Sequence, residues 1–327
     1  MRAVVVTDDR SLELRDVDEP EPGEGQVRVR VEACGICGSD LHMLPSPSLP
    51  AGTVMGHEFA GEIDALGPGV EGFEAGDRVC VYPFRPIDHH DLEVAMNTGL
   101  GMGGGPGAYA EKVVAGREML WRLPDGVELE HGALVEPLAV ALHGLDIAGV
   151  EPGDACAVIG AGPIGIMTAL ALRARGIENV VVIERNERRA ARMSTLGFDC
   201  IGLDGVHEAA LERLGGPPRV VLECAGNPAA PGLAVELVAP SGRVVLLGVL
   251  DEPVPISQLL LMLKEAEIRA SFAYRPRDFD EAVELVAAGK VPIDRLVTAR
   301  EPLERAAEMF EELAQPGTEQ VKVLLKP

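Results

Sequence analysis

A chain of 327 residues is too long for a peptide module and, at ordinary domain size, holds two domains. Its 47% apolar and 25% charged residues are globular rather than disordered, and no apolar run reaches the roughly 18 residues of a membrane span. With 52 acidic against 29 basic side chains the net charge is -23, which repels nucleic acid and anionic lipid and speaks against both as partners.

Residues 1–7 and 26–33 have strand character. In the second run Val27, Val29 and Val31 alternate with Arg28, Arg30 and Glu32, the pattern of a half-buried strand. Residues 62–66 and 78–82 are further short strands, separated by glycine- and proline-bearing turns. The first region therefore reads as mostly β.

The rhythm changes near residue 150. A strand at 155–159, a glycine turn at 160–165 and a helix at 164–174 come first. A strand at 180–183, a helix at 186–196 and a strand at 200–201 follow. The alternation continues through 206–214, 220–223, 229–238 and 243–247. Strands this apolar are expected where helices cover both faces of a parallel sheet. Short helices at 279–288 and 303–314 and a closing strand at 320–325 end the chain. The fold class is α/β. A β-rich catalytic domain spans 1–148 and is completed by 285–327, and a doubly wound nucleotide-binding domain spans 149–284.

The glycine turn is Gly160-Ala161-Gly162-Pro163-Ile164-Gly165, directly after a strand and opening a helix. In that setting Gly160 permits the turn, Gly162 lets the backbone approach a pyrophosphate, and Gly165 allows close packing of helix on strand. The amides at the start of the helix, including that of Ile164, are positioned to receive phosphate oxygens. Glu184, at the end of the next strand, would accept hydrogen bonds from the adenosine ribose and repel a 2'-phosphate, which favours NAD over NADP. Arg185 and Arg189 pull the other way, because guanidinium groups bind phosphate.

Cys37, His57, Glu58 and Glu136 are the metal-ligand candidates, of types that zinc accepts in a tetrahedral site. Polar neighbours strengthen the joint reading. Ser39 would receive an alcohol proton, His42 would pass it to solvent, and Asp40 would orient a ligand imidazole. Taken alone, Ser39 and Asp40 also suit a helix cap. The other five cysteines read as structural. Six cysteines in a chain of this length are no secreted disulfide framework, and residues 1–14 read as strand and turn. Together these make the reducing cytoplasm the expected compartment.

These motifs resemble the medium-chain zinc-dependent alcohol dehydrogenase family. The resemblance runs through Gly35-Ile36-Cys37-Gly38-Ser39-Asp40, Gly56-His57-Glu58, Gly76-Asp77-Arg78-Val79, Glu136-Pro137-Leu138 and the glycine turn. It implies a GroES-like first domain and a Rossmann second domain. It makes Cys37 and His57 catalytic zinc ligands and Glu58 an acidic residue able to enter or leave the metal shell. Glu136 matches the polyol branch, sorbitol- or threonine-dehydrogenase-like, in which it holds metal or water.

The implied reaction is hydride transfer between a secondary alcohol or polyol and NAD, with one catalytic zinc polarising the substrate oxygen. The implied assembly is a homodimer or homotetramer acting on a small alcohol or carbonyl compound. A zinc-independent quinone or enoyl reductase of the same superfamily is disfavoured by the four ligand-type residues together, and a non-catalytic NAD-binding protein is the other alternative. One departure stands out. Residues 81–107 hold no cysteine, so the four-cysteine structural zinc of many relatives is expected to be absent, with His89, His90 and Asp91 at most an incidental metal patch.

Overall fold

The computed structural model describes residues 1–84, 99–103, 105–315 and 317–327. His89, His90 and Asp91 lie outside them.

Seven strands come first: β1 (Arg2–Val6), β2 (Leu12–Asp16), β3 (Gln26–Gly35), β4 (Glu58–Leu66), β5 (Arg78–Val81), β6 (Lys112–Gly116) and β7 (Leu120–Arg122). Six more alternate with helices: β8 (Cys156–Ile159), β9 (Val180–Ile183), β10 (Asp199–Ile201), β11 (Val220–Glu223), β12 (Arg243–Leu246) and β13 (Glu267–Ala270). The chain closes with β14 (Val297–Pro302) and β15 (Lys322–Lys326).

Two compact units result. The first holds residues 1–136, 275–289 and 293–327; the second holds 137–274 and 290–292. The helix Val135–Ala148, which the sequence reading gives to the first domain, falls mostly in the second unit. Its packing shows why: a β-carbon on Gly144 would lie 2.4 Å from the Leu247 side chain, so this helix is seated against the end of β12.

In the first unit the main sheet runs β14-β15-β3-β4-β5-β7, with β6 also on β3. β3 and β4 are antiparallel, and β3 carries the alternation read from sequence, with Val27, Val29 and Val31 buried and Arg30 exposed. Val4, Phe59, Ile63, Val79, Tyr109 and Phe310 belong to the core this sheet covers. β15 pairs antiparallel with β3, so the last strand of the chain lies beside the segment that leads to Cys37.

In the second unit all strand pairs are parallel, in the order β10-β9-β8-β11-β12-β13. This is the doubly wound order, with its reversal between β8 and β11. β8, β9 and β11 are buried along their whole length, as helices on both faces require. β13, unanticipated from sequence, is half polar (Glu267 and Arg269), which suits its place at the sheet's edge.

Candidate active site and cofactor site

Cys37 is the N-cap of the short helix Gly38–Met43, immediately beyond β3. His57 precedes β4 and Glu58 opens it. The β3–β4 register sets Gly35 opposite Glu58 and so carries His57 and Glu58 to the Cys37 end of β3. One ligand atom from each of Cys37, His57 and Glu58 lies within 4.8 Å of the others. Only glycine at position 35 leaves room for this: a β-carbon there would sit 2.1 Å from Glu58 Oε2.

Asp40 organises the group from behind. Its Oδ2 accepts the Cys37 N–H at 2.9 Å and the Tyr109 hydroxyl at 2.6 Å. Its Oδ1 faces His57 Nδ1 at 3.4 Å, and neither atom has a hydrogen-bond partner among the described residues. The separation is long for a hydrogen bond but close enough for the carboxylate to bias the ring. It turns Nδ1 toward Asp40 and leaves Nε2 for a metal, the usual outer-shell arrangement. Asp40 thus caps the helix through the Cys37 N–H, and its Oδ1 faces the imidazole it is expected to orient.

The electrostatics favour a cation at this point. Burial pushes the His57 pKa down, but Asp40 and Cys37 outweigh burial and hold it well above the usual histidine range. Thiol, imidazole and carboxylate drawn together in this way are a donor set that suits zinc. The residues present therefore fit the metal.

Glu58 has a second partner that the sequence reading missed. Lys322 on β15 is buried, and its Nζ donates to Glu58 Oε1 at 2.8 Å, to Glu58 Oε2 at 2.6 Å and to the Ile36 carbonyl at 3.0 Å. Burial lowers the Lys322 pKa, but Glu58 and other nearby acidic groups raise it more, so the ammonium form is kept. The available signal was a lone lysine in the apolar run Val321-Lys322-Val323-Leu324-Leu325. Tyr109, the hydroxyl donor to Asp40, had no such signal.

Glu136 is buried in the first turn of Val135–Ala148. It contributes to the electrostatics of both Lys322 and Tyr82. It is not part of the group formed by Cys37, His57 and Glu58. The sequence reading gives Glu136 the more ligand-like role, whereas the structure brings Glu58 into the cluster. The register of β4, which starts at Glu58 beside Gly35, is the physical reason. Ser39 Oγ lies 3.4 Å from His57 Nε2, on the side where a ligand would bind. His42 is exposed in the last turn of the same helix.

The glycine turn lies in the second unit. Gly160 has φ +99°, and a β-carbon on it would meet Ala225 Cα at 2.9 Å. Gly162 has open space where a side chain would be, the room a pyrophosphate needs. Gly165 packs so closely that a β-carbon would fall 1.9 Å from the Gly160 carbonyl oxygen. Pro163 begins the helix Pro163–Ala174, with Ile164 next, and its fixed φ suits that position.

Glu184 follows β9. Its Oε2 accepts the Ala161 N–H at 2.7 Å and its Oε1 the Asn186 N–H at 2.8 Å. It therefore ties the glycine turn to the end of β9 and keeps further lone pairs for hydroxyl donors. Arg185 is exposed; Arg189 is half-buried, with its Nε lacking a hydrogen-bond partner.

Fold and site together define a two-unit nucleotide-linked oxidoreductase with a zinc-type ligand cluster. Comparison with known proteins agrees. Residues 23–125 match the alcohol dehydrogenase GroES-like domain and residues 163–288 match the zinc-binding dehydrogenase family. The chain is 32% identical to (R,R)-butanediol dehydrogenase of Bacillus subtilis over all of both chains, and the crystal structure of the Bacillus subtilis 2R,3R-butanediol dehydrogenase superposes with a TM-score of 0.92, covering 100% of this chain and 99% of that one. It is 31% identical to human sorbitol dehydrogenase, covering 94% of this chain and 91% of the relative. A Sinorhizobium meliloti protein described as a zinc-binding dehydrogenase, solved with NADP bound, is 31% identical with a TM-score of 0.89, covering 100% of this chain and 99% of that one. The chain belongs to the zinc-dependent polyol dehydrogenase branch of the medium-chain dehydrogenase family. Its activity class is alcohol or polyol oxidation and reduction with a nicotinamide cofactor.

Proposed function

We propose that the protein oxidises a small vicinal diol or related secondary alcohol with NAD, reversibly, using one catalytic zinc per chain. The observation that carries this reading is the Cys37, His57 and Glu58 group backed by Asp40. Cys37 and His57 would hold the metal, with Glu58 or Glu136 completing its shell directly or through water. When bound, zinc supplies the Lewis acidity that polarises the substrate oxygen. Ser39, beside His57 Nε2, takes the hydroxyl proton, and exposed His42 hands it to solvent. The glycine turn with Glu184, Arg185 and Arg189 receives the dinucleotide, and the Glu184 carboxylate favours NAD.

The names of the relatives favour a diol or polyol. The stretch 250–263 is strongly apolar and, as a pocket wall, would favour a less polar alcohol. Leu259, Met262 and Leu263 on the helix Gln258–Lys264 are 66–73% exposed, which suits a face covered by another subunit better than a substrate pocket. That supports a homodimer or homotetramer. Six free thiols fit a cytoplasmic protein.

The test is zinc analysis of purified protein together with NAD reduction on (R,R)-butanediol and sorbitol. About one zinc per chain, with activity lost to a chelator and restored by zinc, is expected. Full activity in metal-free protein would overturn the reading.

A further inference from the structure

Glu223 ends β11 and is 2% exposed, yet the alcohol chemistry has no use for it. Its Oε1 accepts the main-chain N–H of Ala225 at 2.8 Å and of Gly226 at 2.9 Å. The Gly248 amide also bonds to the carboxylate. The main-chain oxygen of Glu223 accepts the N–H of Leu247 at 2.8 Å and of Gly248 at 2.9 Å. One residue therefore ties the connection after β11 to the connection after β12.

The tie has no slack. A β-carbon on Gly248 would lie 2.4 Å from Gly226 N and 2.6 Å from Glu223 Oε2. Gly226 has φ +58°, and a β-carbon on it would meet the Val249 carbonyl oxygen at 2.8 Å. The neighbouring turn is capped more cheaply, since neutral Asn227 accepts from Ala229 N and Ala230 N. A buried carboxylate costs free energy that an amide cap avoids, and charge-assisted bonds to several amides return it as rigidity.

The location gives that rigidity a use. The sheet reverses between β8 and β11, and a dinucleotide spans such a reversal at the C-terminal ends of the strands. The glycine turn follows β8, and Glu184, the acceptor for the adenosine ribose, follows β9. The other half of the dinucleotide then lies over the ends of β11 and β12, where Glu223 holds the two connections together.

We propose that Glu223 is a positioning residue for the nicotinamide ring of the cofactor, fixing amides 225, 226 and 248 as one rigid surface. This rests on the nucleotide reading above. The test compares ADP-ribose, which lacks the nicotinamide, with NADH. Dissociation constants come from calorimetry, and the fluorescence of bound NADH reports how the ring is held. Glu223→Met replaces both carboxylate oxygens by a weakly accepting thioether at similar length. Gly248→Ala keeps the carboxylate and wedges the two connections apart, and it carries the same test if the first variant does not fold.

The expected result is ADP-ribose affinity within about twofold of wild type, NADH affinity lower by about tenfold or more, and a loss of bound-NADH fluorescence enhancement. Equal losses for both ligands, or no loss for either, would overturn the proposal while leaving the nucleotide site intact. Wild-type protein that binds neither ligand would overturn the nucleotide reading and this inference with it.

Discussion

Lys322 and Glu58, far apart in sequence, form a buried ion pair in which one ammonium contacts both carboxylate oxygens at 2.6 and 2.8 Å. Each side chain is 1% exposed. Neither charge can be left alone there. Removing one partner of such a pair costs roughly 3–5 kcal/mol, because the other charge stays buried without compensation. Lys322→Met should therefore destabilise metal-free protein by about that much in urea denaturation. The double variant Lys322→Met with Glu58→Gln should recover most of the loss, since no charge is then stranded. A single-variant loss below about 1 kcal/mol would show that Glu58 already has an equal partner elsewhere.

The same pair bears on metal retention. Cys37 offers the one thiolate of the cluster, so Cys37→Ala should empty the site. Glu58 belongs to the cluster but is held by Lys322, whereas Glu136 is buried nearby and outside it. Zinc per chain after dialysis should fall little in Glu58→Gln and more in Glu136→Gln if Lys322 keeps Glu58 from the metal. Outer-shell losses cost about 10- to 100-fold in affinity or activity, and loss of a direct ligand costs more. The reverse order would make Glu58 the direct ligand. Wild type should hold about one zinc; two tightly held ions would contradict the expected lack of a structural site in residues 81–107.

Much of this was legible in the chain because periodicity and glycine chemistry act locally. β9, β11 and the helix Val206–Leu214 have the bounds expected from their apolar patterns. The three glycines of the turn meet the steric demands expected of them: a positive φ at Gly160, open space at Gly162 and close packing at Gly165. Long-range pairing was not legible. Whether Glu58 meets a metal or a lysine depends on β15 docking on β3, a contact across almost the whole chain. Strands with polar content, such as β2 and β13, also escaped, because at a sheet edge tertiary pairing outweighs composition.

Ser39 and His42 occupy one short helix, with Ser39 Oγ 3.4 Å from His57 Nε2 and His42 at the surface. Positioned proton transfer contributes about 10²- to 10⁴-fold to turnover. Ser39→Ala should lower kcat within that range and leave NADH binding unchanged. His42→Ala should cost less, with the deficit growing as pH falls, where solvent offers little base. The check is kcat against pH for both variants on the best substrate found. An unimpaired Ser39→Ala across the range would remove Ser39 from the proton path.

Cofactor choice turns on Glu184 against its arginine neighbours. The Glu184 carboxylate accepts Ala161 N–H and Asn186 N–H, which fixes its negative charge beside the glycine turn. A 2'-phosphate brought to the adenosine ribose would meet that charge, while the ribose hydroxyls of NAD would meet an acceptor. Arg185 is exposed and Arg189 half-buried, and their guanidinium groups are the candidates to meet a phosphate once the carboxylate is gone. Wild type should therefore have the higher kcat/KM with NAD. Glu184→Ala should shift the NAD-to-NADP ratio toward NADP by about 10- to 100-fold, equivalent to about 1.4 to 2.8 kcal/mol. Adding Arg185→Ala to that variant should reverse part of the shift. Steady-state kinetics with both cofactors on all three proteins decide it, and a wild-type preference for NADP would mean that the guanidinium groups already outweigh the carboxylate.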